Sequence, residues 1–214
     1  MDFDTAVVVT RRHLILAAVG LCAVACSSTG SAGSTPASQP ASTAPASGTA
    51  GATSAATESP PPGDIPDTTV YVAYRPASGQ YEVKVPEGWA RTVSSTGVSF
   101  TDKLNIITIQ TMRAAAPTTA SARSAEVPQI QGSANSFSLT GVSTVSRPAG
   151  TVVLIRYAAD SQPDPVTGKV FRDAVERYEF YRNGTEAVVT LAGPAGADNV
   201  DPWRTVTNSF RWQR

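Results

Sequence analysis

From Val70 onward, apolar side chains recur at every second position in short runs. Val70, Val72 and Tyr74 alternate, then Tyr81, Val83 and Val85, then Val98 and Phe100, then Ile106 and Ile107 with Ile109. Pro, Gly, Asp or Ser bounds each run, which is the pattern of strands with at least one buried face. Residues 142–147 and 151–157 continue it, joined through Pro148, Ala149 and Gly150 in a tight connection. The clearest turn is Asn183-Gly184, between residues 170–182 and 185–191, because both residues tolerate the positive φ of a type I′ hairpin.

A two-residue loop sets the register of that hairpin. With Arg182 opposite Thr185, Phe180 faces Ala187 and Tyr178 faces Val189, and Leu191 falls on the same side, which is the core side. The other side carries Arg177, Glu179 and Tyr181 against Glu186, Val188 and Thr190 and reads as a mixed polar surface. Two helices are expected. Residues 118–126 are rich in Ala, and Pro128 is expected to halt that helix, with residues 129–137 as a broken or second short helix. A second helix over residues 202–208 starts from Asp201 and Pro202 and places Trp203, Val206 and Phe210 on one face; residues 210–212 return as an edge strand.

The first 66 residues have another pattern. Arg11 and Arg12 precede the apolar stretch from Leu14 to Ala25, which ends in small residues before Cys26. A charged start, a short apolar stretch and a small-residue cleavage site predict a signal peptide over residues 1–25. Twelve helical residues span only about 18 Å, too short for a permanent membrane crossing. Ala23-Val24-Ala25-Cys26 resembles a bacterial lipobox, so Cys26 is the expected site of diacylglyceryl attachment, and Arg11-Arg12 also resembles a twin-arginine export signal. In residues 27–66, Ala, Ser, Thr, Gly and Pro make up 36 of 40 positions. Such a segment buries too little apolar surface to offset its backbone entropy, so residues 26–66 read as a disordered tether with a mean reach of about 35 Å. Its composition also resembles that of glycosylated stalks.

Residues 67–214 are left as one domain with fifteen basic and thirteen acidic side chains, a net charge of +2. Neither that balance nor the whole chain's formal charge of zero gives the basic footprint of a nucleic-acid binder.

Within the domain, Tyr81-x-Val83-x-Val85-Pro86-x-Gly88-Trp89, the strand ending Ile155-Arg156-Tyr157, the hairpin about Asn183-Gly184 and the last helix leading into Ser209-Phe210 resemble the PsbP-like family. That family includes an extrinsic photosystem II subunit, a yeast Ran-binding protein and LpqN-type lipoproteins of actinobacteria. The resemblance implies an α+β fold, an antiparallel sheet flanked by helices as an α/β/α sandwich, with a role in binding other proteins and no shared catalytic motif.

Candidate chemistry narrows the function further. The chain's only histidine, His13, and its two cysteines, Cys22 and Cys26, all lie in the first 26 residues. A cleaved, acylated protein therefore has no Ser-His-Asp triad, Cys-His pair, or histidine or cysteine metal site. Asp160 and Asp164, and Asp198, Asn199 and Asp201, match no calcium-loop spacing and read as turn and cap residues. Glu176 and Glu179 fall on opposite strand faces, and Gly193-Pro194-Ala195-Gly196 lacks the lysine of a phosphate loop. No lysine among Lys84, Lys103 and Lys169 lies in a Ser-x-x-Lys motif. No cofactor or metal is expected, and no enzymatic activity. Trp89 and Trp203 read as core, whereas Tyr181, Arg182 and Trp212 are the candidate contacts for a protein partner. The expected function is a lipid-anchored module on the extracytoplasmic face of the cell membrane that binds an envelope protein, as an accessory to a transporter or envelope complex. A carrier for a lipid or other apolar ligand is the alternative, and it requires an apolar cavity of about 300 Å³ or more.

Overall fold

The strand period of two sends successive side chains to the two faces of a main antiparallel sheet. The computed structural model describes residues 61–164 and 166–213. The expected signal peptide, the expected lipidation site Cys26 and the expected tether up to residue 60 lie outside the described residues. The strands of the main sheet are β3 (Ala90–Val93), β4 (Gly97–Asp102), β5 (Asn105–Arg113), β6 (Asn135–Arg147), β7 (Gly150–Asp160), β8 (Arg172–Arg182) and β9 (Thr185–Pro194), ordered β3-β4-β5-β9-β8-β7-β6. β1 (Tyr71–Tyr74), β2 (Tyr81–Pro86) and β10 (Arg211–Trp212) form a small sheet with β2 at its centre. Every pairing is antiparallel. The α+β class expected from the sequence is the observed one.

Strand order explains why both faces of the sheet are covered. The chain leaves β5 in the middle of the sheet and re-enters at β6, the far edge, before β7, β8 and β9 fill the gap back to β5. The crossing is made by α1 (Thr119–Ser121), a π turn (Ala122–Glu126) and α2 (Val127–Ser133). Thr118 opens this segment with a capping box: its hydroxyl accepts the Ser121 N–H at 3.0 Å, and Ser121 Oγ accepts the Thr118 N–H at 2.9 Å. Ala122, Val127 and Ile130 then pack over Val142, Val153 and Ile155.

On the opposite face, α3 (Val200–Ser209) and the small sheet cover the larger core. Trp203, Val206 and Phe210 share the buried side, as the spacing predicts. Phe210 joins three elements: its ring stacks on Phe180 of β8 at 4.2 Å and on Tyr81 of β2 at 5.3 Å, and it meets Trp212 edge-on at 5.3 Å. Helices and sheet together thus make the expected sandwich, with the small sheet as an added part of the α3 layer.

Four sequence expectations are corrected. Pro128 does not halt the helix. A proline lacks an N–H and crowds the carbonyl four residues back, but here it stands in the first turn of α2 directly after the wide π turn, where these penalties are relieved. The Glu179–Glu186 side of the hairpin is not a solvent surface, because the crossing segment covers it; Glu179 is 0% and Glu186 6% exposed. The domain also starts earlier than residue 67. Asn105 Nδ2 and Asn199 Nδ2 both donate to the Gly63 carbonyl, at 2.7 and 3.1 Å, and Asn199 Oδ1 accepts the Ile65 N–H at 2.9 Å. Ile65 is buried in the main core. A composition count over forty residues conceals this single apolar anchor. Asn199, spent on that network, makes no side-chain cap on α3, which starts at Val200 rather than Pro202.

Replacing Ile65 by Ala is expected to destabilise the domain by about 2–5 kcal/mol, the usual cost of deleting a buried isoleucine side chain. Urea unfolding of the variant beside wild type measures it; a change under about 0.5 kcal/mol means that Ile65 belongs to the tether.

Candidate functional site

Asn183 and Gly184 hold φ at +50° and +78°, the left-handed pair that a type I′ turn requires. Tyr181 Oη accepts the Gly184 N–H at 3.0 Å and so braces the turn. The register is the expected one, with Arg182 opposite Thr185 and Phe180 opposite Ala187. Beside this turn lies an open hollow of about 340 Å³, bordered by Arg113, Arg182, Thr185, Trp212 and the chain around Gly79. Arg182 donates to the Gln213 carbonyl at 3.4 Å. The Trp212 indole N–H is buried and has no acceptor among the described residues.

The structure therefore brings Arg182 and Trp212 together, but not Tyr181. Strand alternation sends Tyr181, half-buried, to the opposite face in register with Glu186. Arg113, absent from the sequence candidates, takes its place, because β5 pairs with β9 so that Arg113 stands opposite Thr185. No periodicity within β5 signals this; only the long-range pairing does. Neither Arg113 nor Arg182 is in an ion pair among the described residues.

A second opening, about 300 Å³, separates α3 from the sheet and is lined by Arg147, Arg156, Glu176, Tyr178, Trp203 and Arg204, among others. Its charges satisfy one another. Arg156 Nε donates to Glu176 at 2.9 Å, Tyr178 also donates to Glu176, and Arg147 Nη2 donates to Tyr178 Oη at 3.0 Å while its guanidinium lies 4.9 Å from that ring. Arg147 Nε reaches Thr207 Oγ1 at 3.0 Å, so the network ties α3 to β6 and β8. Burial pushes the Tyr178 phenol up to about 12, with the Glu176 carboxylate adding to the effect. Arg204 pairs with Asp201 on its own helix at 2.6 Å. Chemically this opening is a structural clasp.

The most unusual chemistry lies under the crossing segment. Glu126 from the π turn, Glu179 from β8 and Glu186 from β9 each present a carboxylate oxygen within 4.8 Å of the others. Arg177 binds two of them: Nη2 donates to Glu126 Oε2 at 2.9 Å and Nε to Glu179 Oε1 at 3.3 Å. Glu179 Oε2 and Glu186 Oε1 are buried without a hydrogen-bond partner among the described residues. Burial, reinforced by neighbouring Glu126, pushes Glu179 up to about 9, and burial also raises Glu186. Burial works against ionised Glu126 too, but the adjoining Glu179 carboxyl and the Arg177 guanidinium outweigh it and hold Glu126 low. Three carboxylates around one guanidinium carry a net −2 when all are ionised, so the site must take up protons or a cation.

Sequence reasoning placed Glu179 and Glu186 on the polar side of the hairpin and did not mark Glu126. A signal was present in residues 152–155, four consecutive apolar positions that need cover on both sheet faces. The acidic positions rejected as calcium ligands behave as turn and surface residues. Asp160 pairs with Arg172 at 3.2 Å, and Asp164 accepts N–H groups from Val166 and Thr167. Trp203 is buried, and Trp89 packs partly buried against the main core.

No family profile and no curated protein sequence matches this chain. Among solved structures, it is similar to cyanobacterial PsbP (CyanoP) of Synechocystis sp. PCC 6803, at 15% identity and a TM-score of 0.48 over 72% of this chain and 99% of that one. It is also similar to the Saccharomyces cerevisiae Ran-binding protein Mog1p, at 12% identity and a TM-score of 0.41 over 59% of this chain and 78% of that one. A Bacteroides thetaiotaomicron protein aligns at 11% identity and a TM-score of 0.44 over 66% of this chain; the alignment spans about half of that protein's length, 48%. The class that the structure itself defines is an α+β sandwich built on an antiparallel sheet.

The Glu179 shift has a definite sign. Between its ordinary value of 4.5 and about 9, the folded state keeps a proton that the unfolded chain has released. Stability is therefore full below the ordinary value and falls as pH rises through that window. In chelator-containing buffer, Glu179→Gln is expected to flatten this fall and to be more stable than wild type near about pH 8. Thermal unfolding across pH measures both, and parallel profiles for the two proteins contradict the assignment.

Proposed function

We propose that this chain is a lipoprotein, held through a diacylglyceryl group on Cys26 at the extracytoplasmic face of the cell membrane, whose α+β domain is a non-catalytic module for binding an envelope protein. The observation that carries the reading is the pairing of Arg113 and Arg182 beside Trp212 at the turn end of the sheet. Exposed arginines without carboxylate partners, next to an aromatic side chain, suit an acidic segment of a partner. The tether enters the domain at Gly63 and Ile65, against Asn105 and Asn199. That is the opposite end of β9 from the turn, ten residues or about 30 Å away. An anchor at one end and a docking patch at the other let the tether present the patch outward to a transporter or envelope complex.

The packing favours this module over an apolar-ligand carrier. Phe180, Leu154, Ile109 and Val189 fill the main core at 0% exposure. The hollow at the turn and the opening beside α3 are open and bordered by arginines, where a carrier needs an enclosed apolar cavity.

Crosslinking in intact membranes is expected to capture a specific partner with wild type and about tenfold less with the Arg113→Glu, Arg182→Glu double variant, at an unchanged melting temperature. Equal capture by both proteins removes the patch from the interface, and no specific capture under several conditions counts against the module itself. A fatty-acid probe is expected to label wild type but not Cys26→Ser; equal labelling refutes the anchor.

A further inference from the structure

The carboxylates beneath the crossing segment form a site that needs an occupant. Two of the three, Glu179 and Glu186, are more than nine-tenths buried, and each has an oxygen in the cluster and an oxygen without a hydrogen-bond partner among the described residues. Arg177 occupies one oxygen of Glu179 and one of Glu126, and no other cation forms an ion pair with the three glutamates among the described residues. We propose that Glu126, Glu179 and Glu186 bind one calcium ion, with Arg177 orienting Glu126 and Glu179 from the side.

Charge, donor type and spacing all point this way. The ionised cluster with Arg177 carries −2, which one divalent cation neutralises. Its donors are carboxylate oxygens only, the preference of hard cations rather than of zinc or copper. Calcium binds oxygens at about 2.3–2.6 Å, so oxygens on opposite sides of the ion lie up to about 5 Å apart. The mutual limit of 4.8 Å in this cluster fits that span. Magnesium gives up its water shell reluctantly and is seldom held by an all-protein set of buried carboxylates.

The π turn supplies an independent reason. A five-residue π turn, Ala122–Glu126, interrupts the crossing segment and ends on Glu126. A π turn carries an extra residue relative to an α turn, so it rotates the next helical turn about the axis, and such turns occur often at functional sites. Here the distortion aims Glu126 at Arg177 and the two strand carboxylates. One ion would then bind the crossing segment to β8 and β9 and add to the packing that already holds the helical cover on the sheet.

Calorimetric titration of calcium into the chelator-treated full-length protein tests this. The expected result is one ion per chain with a dissociation constant of about 10⁻⁵ to 10⁻³ M, and weaker binding of magnesium. Calcium at about ten times that constant should raise the melting temperature. Glu186→Gln and Glu179→Gln, which keep side-chain shape, should each weaken binding at least tenfold and abolish the melting shift; if Glu179→Gln does not fold, Glu186→Gln decides. No heat and no melting shift up to about 10 mM calcium overturns the proposal. So does binding that survives both substitutions, which would put the ion elsewhere, or a preference for magnesium.

Discussion

The pairing of β8 with β9 is the constraint on which the other parts depend. Asn183 and Gly184 close the turn, and the pairs run in strict alternation from Arg182 opposite Thr185 to Asp173 opposite Pro194. A slip of one residue would exchange the two faces. If β8 slips, Phe180 and Tyr178 lie under the crossing segment and two charged side chains, Arg177 and Glu179, face α3. The aromatic stack from Phe180 through Phe210 to Tyr81, which holds the small sheet and the C-terminal segment in place, exists only in the observed register.

The same hairpin carries chemistry at several points. At its turn it displays Arg182 beside Trp212, with Arg113 brought alongside by β5. On the α3 face it offers Glu176 and Tyr178 to a clasp of arginines, and on the other face it buries Glu179 and Glu186. Its far end contributes Gly193, where a Cβ would come within 2.3 Å of Asn105 Oδ1. Glycine there lets Asn105 and Asn199 meet and hold the Gly63 carbonyl, so the start of the domain is fixed by the same pair of strands that carries Arg182 at its turn.

Burial of charge separates the two openings from the cluster. In the opening beside α3, each charged group has a partner and keeps some contact with water, so the network serves packing. Under the crossing segment, the carboxylates outnumber the guanidinium and two oxygens have no partner. Buried excess charge of one sign is costly in a medium of low dielectric constant, and a fold keeps it only where protons or a counter-ion compensate.

Local signals made much of the fold legible. Alternation located the strands, apart from the four-residue β3, whose side chains are all exposed, and residues 135–141 of β6, whose first part reads as helix in the sequence. Asn183-Gly184 defined a register that the structure reproduces pair by pair, and the spacing of Trp203, Val206 and Phe210 gave the buried side of α3. These features were readable because turn geometry, strand period and helix period depend on neighbours within a few residues. What the tertiary structure decided depends on strands distant in sequence. The strand order β5-β9-β8-β7-β6 sends the crossing segment over a face that looks polar along the hairpin alone, which turns Glu179 and Glu186 from surface residues into a buried acidic site. The same order separates Tyr181 from Arg182 and Trp212, recruits Arg113, and draws Ile65 out of an apparently structureless segment into the core.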